Sequence, residues 1–132
     1  MFQIFFFIKF IFEGVVSSPN YPDNYPYNLR KMDVIVIEEG LFVALQFTAF
    51  DVDDDSGASS SNCARHHLEI LNGDGTTLMG KTCGYSLPAS ITSISNIVLL
   101  FFSTWHSDSK SGWSVNWSAV PPGAVVTSNV FT

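Results

Sequence analysis

The chain has 132 residues, of which 46% are hydrophobic and only 14% are charged, and its formal net charge is −6 at pH 7. This length and composition predict one domain with a packed core and exclude disorder over most of the chain. The acidic balance gives no basic patch for nucleic-acid phosphates or anionic lipids, so the expected partners are proteins, glycans or cations.

The first 13 residues form an apolar segment, almost wholly Phe and Ile with a single Lys9. This run is too short to span a bilayer. It lacks the basic start of a signal peptide, and Val15-Val16-Ser17 is only a passable cleavage site. Two interpretations therefore stay open: a remnant of a secretion signal, or a wrongly assigned start of a longer protein.

Residues 18–26 follow with the sequence SPNYPDNYP, in which Asn-Tyr-Pro recurs at a four-residue interval. Each proline fixes its own φ and pushes the preceding residue to extended geometry. The segment therefore predicts an ordered, extended entry into a β domain. Its tyrosines, Tyr21 and Tyr25, offer rings for packing and hydroxyls for anchoring.

The middle and the end of the chain show period-two patterns rather than helical ones. Strands are predicted around residues 34–37, 41–48, 68–70, 97–102 and 113–118. Residues 72–75, Asn-Gly-Asp-Gly, tolerate positive φ and predict a hairpin turn. Residues 97–102 are apolar at every position, which predicts a strand buried on both faces. Short strands separated by regular turns predict an all-β antiparallel sandwich.

The two cysteines, Cys63 and Cys83, form either a free buried pair or a disulfide. A disulfide is favoured because Cys63 precedes a predicted strand and Cys83 follows the next turn, so that a hairpin would bring them together. A disulfide in turn implies an oxidising, extracellular compartment.

Taken in order, these segments resemble the CUB domain, an extracellular β-sandwich module. The matching stretches are GVVSSPNYPDNYPYN from Gly14, LFVALQFTAFDVD from Leu41, CARHHLEILNGDG from Cys63, CG at Cys83 and LLFFSTWHSDSKSGWSVNWSAV from Leu99. The resemblance implies a jelly-roll β-sandwich over residues 14–120, with 1–13 as the apolar segment and 121–132 as a tail or linker. The first disulfide of the family is absent, since neither of its cysteines is present.

Many CUB domains bind calcium through three acidic residues and a tyrosine. By resemblance, the acidic positions fall on Asp53, His66 and Thr104, and the tyrosine falls on Tyr21. Calcium prefers several carboxylates, so the loss of two of the three implies a calcium-independent domain. Asp53 is left as a weak calcium candidate.

The sequence offers two other candidate metal sites. Neighbouring loop carboxylates are alternative calcium ligands: Asp54, Asp55 and Asp108. A zinc or copper set is conceivable by ligand type: His66, His67, His106 and Asp108. Adjacent histidines of a strand point to opposite faces, however, so the histidines are expected at the surface.

No catalytic motif is present: neither a zinc-protease HExxH, nor a Gly-x-Ser-x-Gly elbow, nor a phosphate loop. The expected function is therefore noncatalytic, secreted binding of a protein or glycan, without nucleic-acid binding or membrane insertion. The alternatives are a substrate-selecting accessory module of a secreted protease, such as an astacin-type metalloprotease, and a free adhesion protein of the spermadhesin kind.

Exposed aromatic residues are the expected binding anchors, because Tyr and Trp dominate interface energetics. The candidates are Tyr21, Tyr25, Tyr27, Tyr85 and Trp105. The sequon Asn116-Trp117-Ser118 is a candidate glycosylation site on a predicted strand.

Overall fold

Two four-stranded antiparallel sheets form the protein, which a computed structural model describes for residues 12–54 and 62–123. In chain order, the strands are β1 (Glu13–Ser17), β2 (Arg30–Val36), β3 (Phe42–Asp51), β4 (His67–Asn72), β5 (Thr77–Thr82), β6 (Ile91–Thr92), β7 (Ile97–Ser103) and β8 (Gly112–Val120). The first sheet has the strand order β1-β8-β3-β6 and the second β2-β7-β4-β5. The predicted all-β antiparallel sandwich is confirmed.

The ends of the chain and residues 55–61 lie outside the described residues. They contain most of the apolar segment 1–13, most of the tail 121–132, and Asp55. Within the described part, β1 begins at Glu13 and β8 ends at Val120. No stretch of this part forms a helix with the length and hydrophobicity that crossing a bilayer requires.

Alternating burial explains why the sequence forms these strands. In β4, Leu68 and Ile70 are fully buried, while the alternate residues His67, Glu69 and Leu71 are half-buried. β7 shows the same alternation, with Ile97, Leu99 and Phe101 only half-buried. The prediction of a strand buried on both faces was therefore wrong for β7, because one face of an antiparallel sheet packs on the core and the other can face solvent.

The core lies between the two sheets, where their inward side chains meet. Trp113 of β8 in the first sheet packs edge-on against Phe102 of β7 in the second, with ring centroids 5.7 Å apart. Tyr25 makes a second edge-on contact with Phe102, at 5.0 Å between centroids. These three rings join the entry segment to both sheets.

The entry segment is anchored to the start of β8. The Ser18 N–H donates to the Trp113 carbonyl at 2.9 Å, and the Ser18 hydroxyl accepts from the Trp113 N–H at 3.0 Å. Further along, the Tyr25 N–H donates to the Lys110 carbonyl at 3.0 Å. These bonds fix the path of residues 18–25, which includes a cis peptide bond between Tyr21 and Pro22.

The predicted hairpin and disulfide are both confirmed. β4 pairs with β5 across the turn that contains Gly75, whose φ is +90°. The disulfide between Cys63 and Cys83 ties the segment before β4 to the residue after β5. It thus closes the open end of the hairpin, where His66 enters the core.

Candidate functional site

Three residues far apart in sequence form a buried polar network at one end of the sandwich. Tyr25 comes from the entry segment, Asp53 follows β3, and His66 precedes β4. The Asp53 N–H donates to the Tyr25 hydroxyl at 3.1 Å, and that hydroxyl lies 3.2 Å from Nδ1 of His66. Nε2 of His66 faces Oδ2 of Asp53 at 3.9 Å.

The Tyr25 hydroxyl is the shared atom of this network. It accepts from the Asp53 N–H and forms a second hydrogen bond with Nδ1 of His66, whose direction is set by the imidazole tautomer. Burial, together with the negative charge of Asp53, raises the pKa of Tyr25 to about 12 and so keeps its hydroxyl neutral.

The network corrects two predictions. His66 is only 1% exposed, so the expectation of a surface histidine was wrong; Tyr25 and Asp53 supply the polar partners that its burial requires. The tyrosine beside Asp53 and His66 is Tyr25 rather than Tyr21. The turn of residues 18–24, held to β8, brings the second tyrosine to this end of the core.

Thr104, the third position expected at a calcium site, has a structural role. Its hydroxyl donates to the Pro26 carbonyl and accepts from the Leu29 N–H, each at 2.8 Å. Its own N–H donates to the Leu29 carbonyl at 2.9 Å. Thr104 therefore clamps the turn that leads into β2.

These residues do not fit a calcium ion. Calcium takes six to eight oxygen ligands, whereas here an imidazole lies between the carboxylate and the tyrosine and the threonine oxygen is bound to the backbone. Across residues 12–54 and 62–123, no group of three or more His, Cys, Asp or Glu side chains could hold a metal. The conceived zinc or copper set is not brought together: His67 bonds the Cys63 carbonyl and His106 packs on Trp105.

The predicted aromatic anchors separate into buried and exposed residues. Tyr25 is 2% exposed and lies in the core, so its prediction as an exposed anchor was wrong; its ring fills the space beside Phe102. Tyr21 is half-buried. Tyr27 and Trp105 are 57% and 41% exposed, and Tyr85 is 81% exposed.

Tyr27 and Trp105 lie at the same end of the molecule. The N–H of Asn28, next to Tyr27, donates to the Trp105 carbonyl at 2.9 Å. The guanidinium of Arg65 lies over the Trp105 ring, 5.5 Å from its centroid. We call Tyr27, Trp105 and Arg65 the aromatic patch. Tyr85 is not part of this patch and lines a depression together with Asp51, Asp54 and Lys110.

Sequence reasoning missed Arg65 and assigned the network tyrosine to the wrong turn. The two Asn-Tyr-Pro repeats are equivalent by spacing, and only the fold distinguishes them. Asn116 lies on β8 between Val15 of β1 and Gln46 of β3, and its glycosylation stays a prediction.

Comparisons with known proteins agree on one family. The CUB domain model matches residues 11–117. Rat cubilin is 30% identical over 112 residues, covering 85% of this chain and 3% of cubilin. Mouse Tolloid-like protein 1 is 35% identical over 107 residues, covering 80% of this chain and 10% of that protein. The chain therefore spans a tenth or less of the length of these two relatives.

Solved structures show the same fold. The CUB1-EGF-CUB2 region of human MASP-1/3 superposes with a TM-score of 0.73 at 31% identity, over 82% of this chain and 39% of that one. The MASP-1 CUB2 domain bound to Ca²⁺ superposes with a TM-score of 0.72 at 29% identity, over 80% of this chain and 91% of that one.

Proposed function

This chain belongs to the CUB domain family, and from that premise we propose that it is a noncatalytic extracellular module that recognises a protein partner without calcium. The disulfide between Cys63 and Cys83 supports the extracellular location, because such bonds persist in oxidising compartments.

The observation that carries the binding role is the aromatic patch. Tyr, Trp and Arg are the residue types that most often dominate binding energy at protein interfaces. Here Tyr27 and Trp105 are both exposed on backbone segments joined by the Asn28–Trp105 hydrogen bond, and Arg65 lies over the Trp105 ring. The guanidinium adds hydrogen-bond donors to an apolar surface, which suits a protein better than a neutral glycan.

Calcium independence is supported by the buried network. His66 and Thr104 already have protein partners where the family places carboxylates. The thermal unfolding midpoint should therefore be the same in millimolar calcium chloride as in EDTA. A clear rise of the midpoint on adding calcium, reversed by the chelator, contradicts this part of the proposal.

The binding role is tested by probing an array of extracellular ectodomains with the full chain. Trp105→Ala and Tyr27→Ala should each remove binding to the partner that the array identifies. Tyr85→Ala is the matched control, because it removes an exposed aromatic ring that does not belong to the patch. Equal binding by all three variants, or binding only to glycan probes, overturns the proposal.

A second candidate function is a substrate-selecting module within a larger secreted protease. The observation that favours it is coverage, since the relatives are much longer than this chain. The intact mass and N-terminal sequence of the native protein distinguish the candidates. A larger chain that contains these peptides together with a zinc-protease sequence supports the second candidate, while a species of 14.5 kDa or less contradicts it.

A further inference from the structure

The outer face of the second sheet carries a groove at the end where β2 begins and β7 ends. Its volume is about 540 Å³, within the range of ligand-binding clefts. Arg30, Lys31, His67 and Lys81 line it, with Met32 and Phe101 among its apolar residues. We call it the cationic groove.

Strand pairing explains how a chain with a net charge of −6 forms a cationic site. Arg30 and His67 both pair with Ser103, from opposite sides of β7, so the three residues form one row across the sheet. Lys81 of β5 joins them from beyond β4. The chain has only six Lys and Arg residues, and three line this groove while Arg65 lies over Trp105 nearby.

The positive charges of the groove are only partly neutralised. Lys31 pairs with Asp33 at 3.4 Å. Within the described part of the chain, neither Arg30 nor Lys81 forms an ion pair. Burial lowers the pKa of His67, and Lys81 and Arg30 lower it further against the opposing effects of the Cys63 carbonyl and Glu69. The positive charges of Arg30 and Lys81 therefore lie close together beside His67 at this part of the surface.

Apart from Glu69, the next rows of the same face are apolar. Two residues along each strand, Met32 and Glu69 flank Phe101. Beyond them, Val34 and Leu71 flank Leu99. Met32, Val34 and Val36 are exposed, and the β7 residues that pair with them are only half-buried. A contiguous exposed apolar surface of this kind marks an interaction site.

We propose that the cationic groove and the apolar row beside it bind an extended acidic segment of a protein partner. Carboxylates of the segment meet Arg30 and Lys81, and its apolar side chains cover Met32 and Phe101. The inference rests on the proposed recognition function and names a surface and a partner chemistry for it.

The dimensions and the lining favour a peptide. Four strands spaced by about 4.8 Å span ~14 Å, which an extended segment of about five residues covers. A densely sulfated glycan would meet an apolar floor at Phe101 that offers no partner to its charged groups. A peptide with alternating acidic and apolar residues uses both the charges and the floor.

The test is calorimetric titration of the full chain with a capped hexapeptide of alternating glutamate and leucine. Arg30→Glu/Lys81→Glu should weaken binding by at least about tenfold. The matched control compares two single charge reversals, Lys110→Glu and Lys81→Glu. A double control variant at Lys110 and Arg65 is unsuitable because Arg65 belongs to the aromatic patch. Lys110 lies at the separate acidic depression, and its reversal should change affinity by less than about twofold.

Three outcomes overturn the inference. The first is equal affinity for a peptide with glutamine in place of glutamate. The second is an equal loss of peptide affinity in the Lys110→Glu and Lys81→Glu variants. The third is heparin binding that is tighter than peptide binding and is abolished by the same groove substitutions. Should the variants fail to fold, the NMR amide chemical shifts of the unmodified chain provide the test. Adding the peptide should shift the amide resonances of Met32 and Phe101. Shifts confined to β1 and β8 would contradict the inference. If an ectodomain partner requires Trp105 but the peptide does not bind, the inference about the acidic segment fails and the proposed recognition function stands.

Discussion

The Tyr25 hydroxyl is the atom on which the buried network depends. It receives the Asp53 N–H and faces His66 Nδ1, so it joins segments that are 28 and 41 residues away along the chain. Tyr25 and His66 are almost fully buried, and water cannot replace a lost partner there. Leaving a buried polar group unsatisfied costs about 1–3 kcal/mol.

Tyr25→Phe should therefore lower the free energy of unfolding by about 1–3 kcal/mol, since the Phe ring keeps the contact with Phe102 while both polar groups lose a partner. Chemical denaturation measures the loss. Tyr27→Phe is the control, because the Tyr27 side chain is exposed and its change should stay within about 0.5 kcal/mol. Equal effects of the two substitutions would show that the network contributes no stability.

The raised pKa of Tyr25 also predicts a pH dependence. An unfolded tyrosine ionises near pH 10, whereas Tyr25 in the folded chain has a pKa of about 12. Below pH 10 Tyr25 is protonated in both the folded and the unfolded state, so its contribution to stability is fully present. Between pH 10 and 12 ionisation of the phenol stabilises only the unfolded state, so the free energy of unfolding falls. The loss should approach ~3 kcal/mol.

Comparison with Tyr25→Phe isolates that effect. Both proteins share the disulfide and all other titrating groups, so their denaturation curves from pH 9 to 12 differ only through this phenol. The substituted protein should show a smaller decline over this range. Parallel declines would mean that Tyr25 ionises in the folded state as readily as in the unfolded chain.

At the residue level, the sequence predicted the chemistry but not the contacts. The absence of carboxylates at His66 and Thr104 was evident from the sequence. That His66 is buried between Tyr25 and Asp53 was not, because three separate segments must be positioned before any of the three can be called a neighbour. Adjacent His67 does face the other side, as strand geometry requires.

At the scale of elements, the junction between the entry segment and β8 depends on Gly112. Its φ is +87°, and a Cβ atom there would overlap the Ser18 hydroxyl, which itself holds the Trp113 N–H. Backbone conformation and close approach therefore both require glycine at this position.

Gly112→Ala should destabilise the protein by about 3 kcal/mol, as the sum of left-handed strain and overpacking. Gly75→Ala is the matched control, because its φ is +90° but nothing lies within 4 Å of the added Cβ. That control should cost about 1 kcal/mol. Thermal or urea denaturation measures the destabilisation in both variants. Equal destabilisation would show that the Ser18 side chain can shift to make room for the Cβ atom without loss of stability.

Elements themselves were largely predictable, since alternation and turn chemistry are local. The hairpin of β4 and β5 follows from residues 68–75, and its closure by Cys63 and Cys83 follows from their positions on either side of it. The row of Arg30, Ser103 and His67 was not predictable, because it depends on which distant strands pair and in what register. Net charge likewise conceals where the few cations lie.

At the scale of the whole molecule, the two sheets share one core. Val43, Leu45 and Val115 of the first sheet belong to the same buried cluster as Leu68 and Leu100 of the second. Trp113 lies inside that cluster, fully buried, in edge-on contact with Phe102 across the sheets. Its fluorescence therefore reports on the separation of the sheets, whereas far-ultraviolet circular dichroism reports on the strands.

A sandwich with one shared core should unfold in a single cooperative transition. The chain has three tryptophans, and Trp105→Phe/Trp117→Phe leaves Trp113 as the reporter. In this variant, urea titrations followed by fluorescence and by circular dichroism should give the same midpoint, because neither sheet can bury its inner face without the other. A fluorescence midpoint at lower urea would mean that the sheets separate while their strands persist. Trp105→Phe alone is the control for its exposed ring and should leave both midpoints where they are in the unmodified chain.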